Sequence, residues 1–227
     1  MNQMTLYILI FVVMGLGALV QMILKSRFNK YSRERLTGGL TGRQVAEKML
    51  RDNGIYDVRV TSVQGTLTDH YNPANRTINL SEGVYDSDSV AAAAVAAHET
   101  GHALQHALGY APLRLRSALV PAVNFASSAV QWVLLGGILL LNVFPGLLLF
   151  GILLFAVTTL FSFVTLPVEI DASSRALAWL ERSGITGPSQ QPMASSALRA
   201  AAYTYVAAAL GSLVTLLYYL SIYTSRR

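Results

Sequence analysis

Three of the four histidines in this chain fall within nine consecutive positions, in the stretch AAHETGHALQH from Ala96 to His106. Within it, His98-Glu99-Thr100-Gly101-His102 follows the pattern H-E-x-x-H. On a helix, residues four apart share a face and rise ~6 Å along the axis. Two imidazoles so placed can reach one zinc ion at ~2.1 Å each. Glu99 lies one position round from His98, where a carboxylate can take a proton from water without being a ligand. Zinc lowers the pKa of water toward ~7, so the pattern predicts one catalytic zinc with His98 and His102 as ligands and Glu99 as base. The surrounding alanines favour a helix and leave room for close packing. His106 does not fit the same ion, because on a straight helix it stands about 12 Å from His98. The longer pattern with a third histidine needs a glycine and a histidine where this chain has Gln105 and Leu108. His106 is expected to support or pack.

A tetrahedral catalytic zinc needs a third protein ligand and one open position. Cysteine is absent, which excludes thiolate sites, thiol proteases and a disulfide framework. The prepared region is Leu166-Pro167-Val168-Glu169-Ile170-Asp171-Ala172-Ser173. A charge just after a membrane span is costly unless paired, and coordination by Glu169 offsets that cost. The alternative is that Glu169 and Asp171 cap a helix whose first position is Pro167.

The elements that must position these groups are partly in lipid. Apolar residues make up 53% of the 227 residues and charged ones 13%, about half the charged share of soluble domains. Residues 1–24, 117–168 and 200–225 carry no charge. About 20 apolar residues suffice to cross a bilayer. The middle stretch allows two crossings, split at Asn142-Val143-Phe144-Pro145-Gly146. Four spans are therefore expected, near 5–24, 118–141, 147–167 and 202–223. The first lacks a leading positive segment and is followed by lysines and arginines, the pattern of an uncleaved anchor.

The net charge of +5 is no sign of nucleic acid here. Lys25, Arg27, Lys30, Arg33 and Arg35 follow the first span, and such excess marks the cytoplasmic side. Residues 25–117 and 168–199 are then cytoplasmic, and the hairpin between them returns Glu169 to the side of His98. Arg226 and Arg227 would fall outside, against the rule.

The polar segments read as a small α+β unit. Thr41-Gly42-Arg43-Gln44 is a capping-box pattern opening a short helix that stops at Asn53-Gly54. Residues 58–63 are strand-like, and residues 65–71 and 76–81 flank Asn72-Pro73-Ala74-Asn75 as a hairpin. Asp86, Ser87 and Asp88 offer N-caps for a helix over 89–108, with Gly109 as its stop. The layout is a first transmembrane helix (1–24), an α+β unit with the H-E-x-x-H helix (25–116), a transmembrane hairpin (117–168), a segment with the third ligand (169–199) and a last transmembrane helix (200–227).

The stretch DHYNPANRTINLSEGVYDSDSVAAAAVAAHETGHALQH, the later LPVEIDASSRAL and the terminal AAAYTYVAAAL resemble the YugP-type membrane zinc metallopeptidases. The resemblance covers most of the chain. It implies an α+β, gluzincin-like catalytic unit joined to about four transmembrane helices and a zinc endopeptidase of the bacterial inner membrane. It also implies ligands His98, His102 and Glu169, with Glu99 as base, and a polypeptide substrate. The chain is more distantly similar to the HtpX-like gluzincins, in which an aspartate four residues after the ligand glutamate supports a ligand histidine. Here that position is Ser173, and Asp171 is the expected substitute. Asp69-His70-Tyr71 also matches the YugP-type pattern. The strand 76–81 could offer an edge to an extended substrate, with His70 or Tyr71 steadying the oxyanion, or these residues simply hold a turn. Two other functions fit less well: an intramembrane protease with helix 89–108 sunk in lipid, and a zinc-binding scaffold without turnover.

Overall fold

The structure is a computed structural model that describes residues 3–225. Arg226 and Arg227 lie outside the described residues. Ten elements follow in order: α1 (Gln3–Tyr31), α2 (Gly42–Asp52), β1 (Arg59–Val63), β2 (His70–Asn72), β3 (Thr77–Ser81), α3 (Glu82–Tyr85), α4 (Val90–Ala107), α5 (Ala111–Leu139), α6 (Pro145–Arg182) and α7 (Gln191–Thr224). The fold is mostly helical with one small sheet, an α+β arrangement, and α1, α5, α6 and α7 are long and apolar enough to cross a membrane.

Each of these four helices outruns the expected span. The 29 residues of α1 rise about 44 Å, against a hydrocarbon core of ~30 Å, so helix continues through Lys25, Arg27 and Lys30 and stops before Arg33. α6 likewise continues to Arg182, and Pro167 lies inside it. This corrects the capping alternative, since Pro167 opens no helix and Glu169 and Asp171 sit within one. Proline forfeits one intrahelical bond, which a helix of 38 residues tolerates.

The chain divides into two units. One comprises the chain up to Val20, Leu115–Leu166 and the chain from Thr204 onward. Its α5 and α6 form the expected hairpin through a turn over 140–144. The approach there requires glycine: a Cβ on Gly137 would lie 2.6 Å from Leu148 Cα, and one on Gly151 2.8 Å from Leu134 Cδ2. Leu134, Leu141, Leu148 and Ile152 form its buried cluster, with Leu216 and Tyr219 of α7 packed on it.

The other unit comprises Gln21–Arg114 and Pro167–Tyr203 and carries the H-E-x-x-H helix. Thr41 and Gln44 form the expected capping box of α2. The sheet order is β1-β3-β2, with β3 parallel to β1 and antiparallel to β2. Both edges of β3 are thus taken, which corrects the expectation that strand 76–81 presents an edge to substrate. Ile78 and Leu80 of β3, Val45, Met49 and Leu50 of α2, and Trp179 and Leu180 of α6 bury against the alanine face of α4. Each large aliphatic side chain so buried contributes roughly 1.5–3 kcal/mol.

α4 is capped at Ser89, whose hydroxyl accepts from Ala92 N–H, rather than at residues 86–88. It ends at Gly109, with φ +62°. There Gly109 N–H bonds His106 C=O and Tyr110 N–H bonds Gln105 C=O, a Schellman closure.

Candidate metal centre

The crossing of α4 and α6 sets the site. A Cβ on Gly101 would lie 2.6 Å from Ala172 O and 3.1 Å from Ala172 Cα, so only glycine lets the two backbones approach this closely. On α4, His98 and His102 lie four residues apart, with ring centroids at 4.8 Å. On α6, Glu169 and Ser173 lie four apart in the same way. The crossing brings Glu169 Oε2 to 3.3 Å from His98 Nε2 and 3.7 Å from His102 Nε2. Among the described residues, His98, His102 and Glu169 form the one group of three able to hold a metal ion, their donor atoms all within 4.8 Å of one another.

The donors suit zinc in kind and spacing. Two imidazole nitrogens and a carboxylate are a usual catalytic set, and ligands ~2.1 Å from one ion at tetrahedral angles stand ~3.4 Å apart. Glu169 is 3% exposed, and His102 is buried as well. A carboxylate in so dry a place needs positive charge or hydrogen-bond donors close by.

The imidazoles are oriented from behind. Gln105 is fully buried, and its Nε2 donates at 2.8 Å to Val168 O and at 2.8 Å to Asp171 Oδ2. Both partners are acceptors, so the amide nitrogen must face them. Its Oε1 therefore meets His102 Nδ1, at 3.0 Å, as an acceptor. That fixes the proton on Nδ1 and leaves the Nε2 lone pair facing Glu169. His98 Nδ1 meets Ser173 Oγ at 3.0 Å. Asp171, the expected support, reaches His102 only through Gln105, and its charge is met by Arg175 Nε at 2.6 Å.

Of these supports, Gln105 escaped the sequence reading, whereas Ser173 stands at the position where the HtpX-like gluzincins carry their supporting aspartate and itself meets the ligand histidine, a role the sequence reading gave to Asp171. The signal for Gln105 was the helical offset alone, three residues from His102.

Glu99 is buried on α4, and its charge acts on His102. Burial pushes the His102 imidazole down, but the hydrogen bond to Glu169 and the charges of Glu99 and Glu169 outweigh this and raise its pKa. In the metal-free protein an entering cation competes with that proton.

His106, the histidine excluded as a ligand, hydrogen-bonds Tyr71 OH through Nδ1 at 2.7 Å. Both line a cleft of about 330 Å³ with Ala103 and Arg76. Burial raises the Tyr71 pKa. His70 is exposed and turned to its own hairpin, with Nδ1 2.8 Å from Thr68 O and Nε2 3.2 Å from Asn79 Nδ2. Asp69 accepts from Ser81 N–H and Oγ, holding the turn.

The chain thus carries a His-His-carboxylate triangle able to hold a metal on two crossed helices, and four helices long and apolar enough to cross a membrane. Residues 6–224 match the family described as "Putative neutral zinc metallopeptidase", and the chain belongs to that family. It is 45% identical over 214 residues to the "Putative membrane protease YugP" of Bacillus subtilis (strain 168), covering 94% of each chain. No solved structure matches.

Proposed function

We propose that this protein is a membrane-bound zinc endopeptidase that cleaves polypeptides at the cytoplasmic membrane face. The observation that carries the reading is the Glu169 carboxylate lying within 3.7 Å of both imidazole Nε2 atoms, with Glu99 buried on the same helix as the histidines. His98, His102 and Glu169 would hold the ion. Zinc, when bound, supplies a Lewis acid that polarises a peptide carbonyl and lowers the pKa of water toward ~7.

The chain's own groups do the rest. Glu99 takes a proton from the attacking water and returns it to the leaving amine. Gln105 holds His102 in the tautomer that presents Nε2, and Ser173 hydrogen-bonds His98 Nδ1 and steadies that ring. The cleft of Tyr71, Ala103 and His106 starts one residue beyond His102 and offers room for a substrate side chain. The edges left free in the sheet belong to β1 and β2, so an extended peptide would pair there.

Placement outside the lipid is supported by α4, which is not among the four helices apolar enough to cross. The positive residues after position 24 support the cytoplasmic side. A zinc-binding scaffold would have no use for a buried carboxylate beside its ligands.

The test is Glu99→Gln in the purified protein. It is expected to keep zinc and lose cleavage of an unfolded polypeptide by about 10²–10⁴-fold. Cleavage that persists at the original rate means Glu99 is not the base.

A further inference from the structure

A second site lies away from the metal centre, where α1 leaves its apolar stretch and α7 approaches its own. Charge in α1 begins at Lys25, after 24 uncharged residues, and charge ahead of the apolar part of α7 ends at Arg199. Arg27 of α1 donates from Nη1 to Ser196 Oγ of α7 at 3.0 Å and to Tyr31 OH at 3.0 Å. The two helices therefore meet at this level, and Arg27 and Arg199 sit at the same edge of the membrane-spanning stretches. Beside them opens a cleft of about 570 Å³ lined by both arginines, Ser195, Ser196 and, on its apolar wall, Ile23 and Tyr203. Among the described residues, no acidic side chain lines it. Both of the hydrogen bonds to Tyr31 and Ser196 run from Nη1 of the Arg27 guanidinium.

We infer that this cleft binds the phosphate of an anionic phospholipid, gripped between Arg27 and Arg199. Guanidinium groups recognise phosphate oxygens with two parallel hydrogen bonds, and two arginines can take one phosphodiester from both sides. Ser195 adds a hydroxyl. The apolar wall selects the lipid over a free anion: Ile23 is 41% and Tyr203 59% exposed, both large apolar surfaces at the depth where glycerol and the first acyl carbons lie. Basic pockets between membrane helices at the headgroup level hold anionic lipids for these reasons. The inference rests on the membrane reading of α1 and α7 and is independent of the zinc chemistry.

The experiment uses the full chain in nanodiscs of phosphatidylcholine with a minor fraction of phosphatidylglycerol, followed by native mass spectrometry of the released protein. The wild type is expected to retain one phosphatidylglycerol and no phosphatidylcholine. Arg27→Gln with Arg199→Gln should lower that retention roughly 30-fold, taking each charge as one arginine near an anionic surface. Arg27→Lys with Arg199→Lys keeps charge without the fork and should fall between the two, and it serves if the glutamine pair fails to fold. Equal retention of both lipids by the wild type, or undiminished phosphatidylglycerol on both double variants, overturns the inference. Displacement of the lipid by inorganic phosphate at about its own concentration also overturns it, because the cleft would then be a site for the free ion.

Discussion

At the scale of single residues, metal binding depends on which nitrogen of each imidazole carries its proton. Gln105 settles this for His102 because both partners of its amide nitrogen are acceptors, so its oxygen must turn to Nδ1. Gln105→Ala leaves His102 Nδ1 without its acceptor and opens a void in a fully buried position. Zinc affinity is expected to fall about 10–100-fold, measured by competition with a chromophoric chelator. Ser173→Ala removes the corresponding partner of His98, which is more exposed and can turn to water, so its loss should sit at the lower end of that range. An unchanged affinity in both variants would mean that the ligands are oriented by packing alone. Gln105 was hard to find in the sequence, and Ser173 was marked only by standing where a similar family has its supporting aspartate. A glutamine and a serine are ordinary helix residues, and their role exists only once α4 and α6 are crossed.

At the scale of elements, the decisive contact is glycine against backbone. The glycine in the H-E-x-x-H segment is legible as a letter, but not as the seat of a second helix, since nothing near it in sequence requires one. Gly101→Ala would place a methyl group 2.6 Å from Ala172 O, so α4 and α6 must separate. The overpacking should cost about 1–3 kcal/mol and draw Glu169 away from the histidines. A lowered thermal midpoint with weakened zinc retention is expected; a variant that binds zinc as the wild type does would show that the crossing is looser than described.

Away from the site, α2 is joined to α6 by Asp52, which accepts from Lys48 Nζ at 2.8 Å and from Trp179 Nε1 at 3.1 Å. The Lys48 hydrogen bond holds the Asp52 carboxyl below its ordinary value, against the opposing effect of burial, and the Trp179 bond adds to it. A depressed carboxylate stabilises the fold above its unfolded pKa, and that contribution is lost as pH falls through the native value. Asp52→Asn should therefore lower stability at neutral pH by about 0.5 kcal/mol, a small figure because the pair is more than a third exposed. Thermal unfolding of the two proteins should show a gap at neutral pH that closes in acid; a gap that widens in acid contradicts the assignment.

Local signals read well at this scale. The capping box of α2 and the glycine stop of α4 follow from short-range chemistry and form where the residues predict them, while the β2–β3 hairpin forms with a first strand of only His70–Asn72, not the whole of 65–71. Long-range pairing did not read. Nothing in residues 58–63 shows that β1 runs parallel to β3 and occupies its edge, and nothing in Pro167 shows that α6 runs through it. Those outcomes depend on what packs alongside.

For the whole molecule, composition was the strongest guide. Three uncharged stretches give four helices of membrane length, and the interruption at 142–146 gives the turn between α5 and α6. The helices overrun the apolar stretches because lysine, arginine and glutamate are good helix formers, so a span's chemical boundary is not its structural end. The α5–α6 hairpin also explains how a carboxylate 71 positions from His98 joins it, as Glu169 lies just past the apolar part of α6 while α4 precedes α5. The central claim is that this carboxylate and two imidazoles hold one zinc ion. Its most direct test is the zinc content of the purified protein, by elemental analysis, in wild type and Glu169→Ala. The account predicts one zinc per chain in the wild type and almost none in the variant; a variant that keeps its full complement would show that Glu169 is not a ligand.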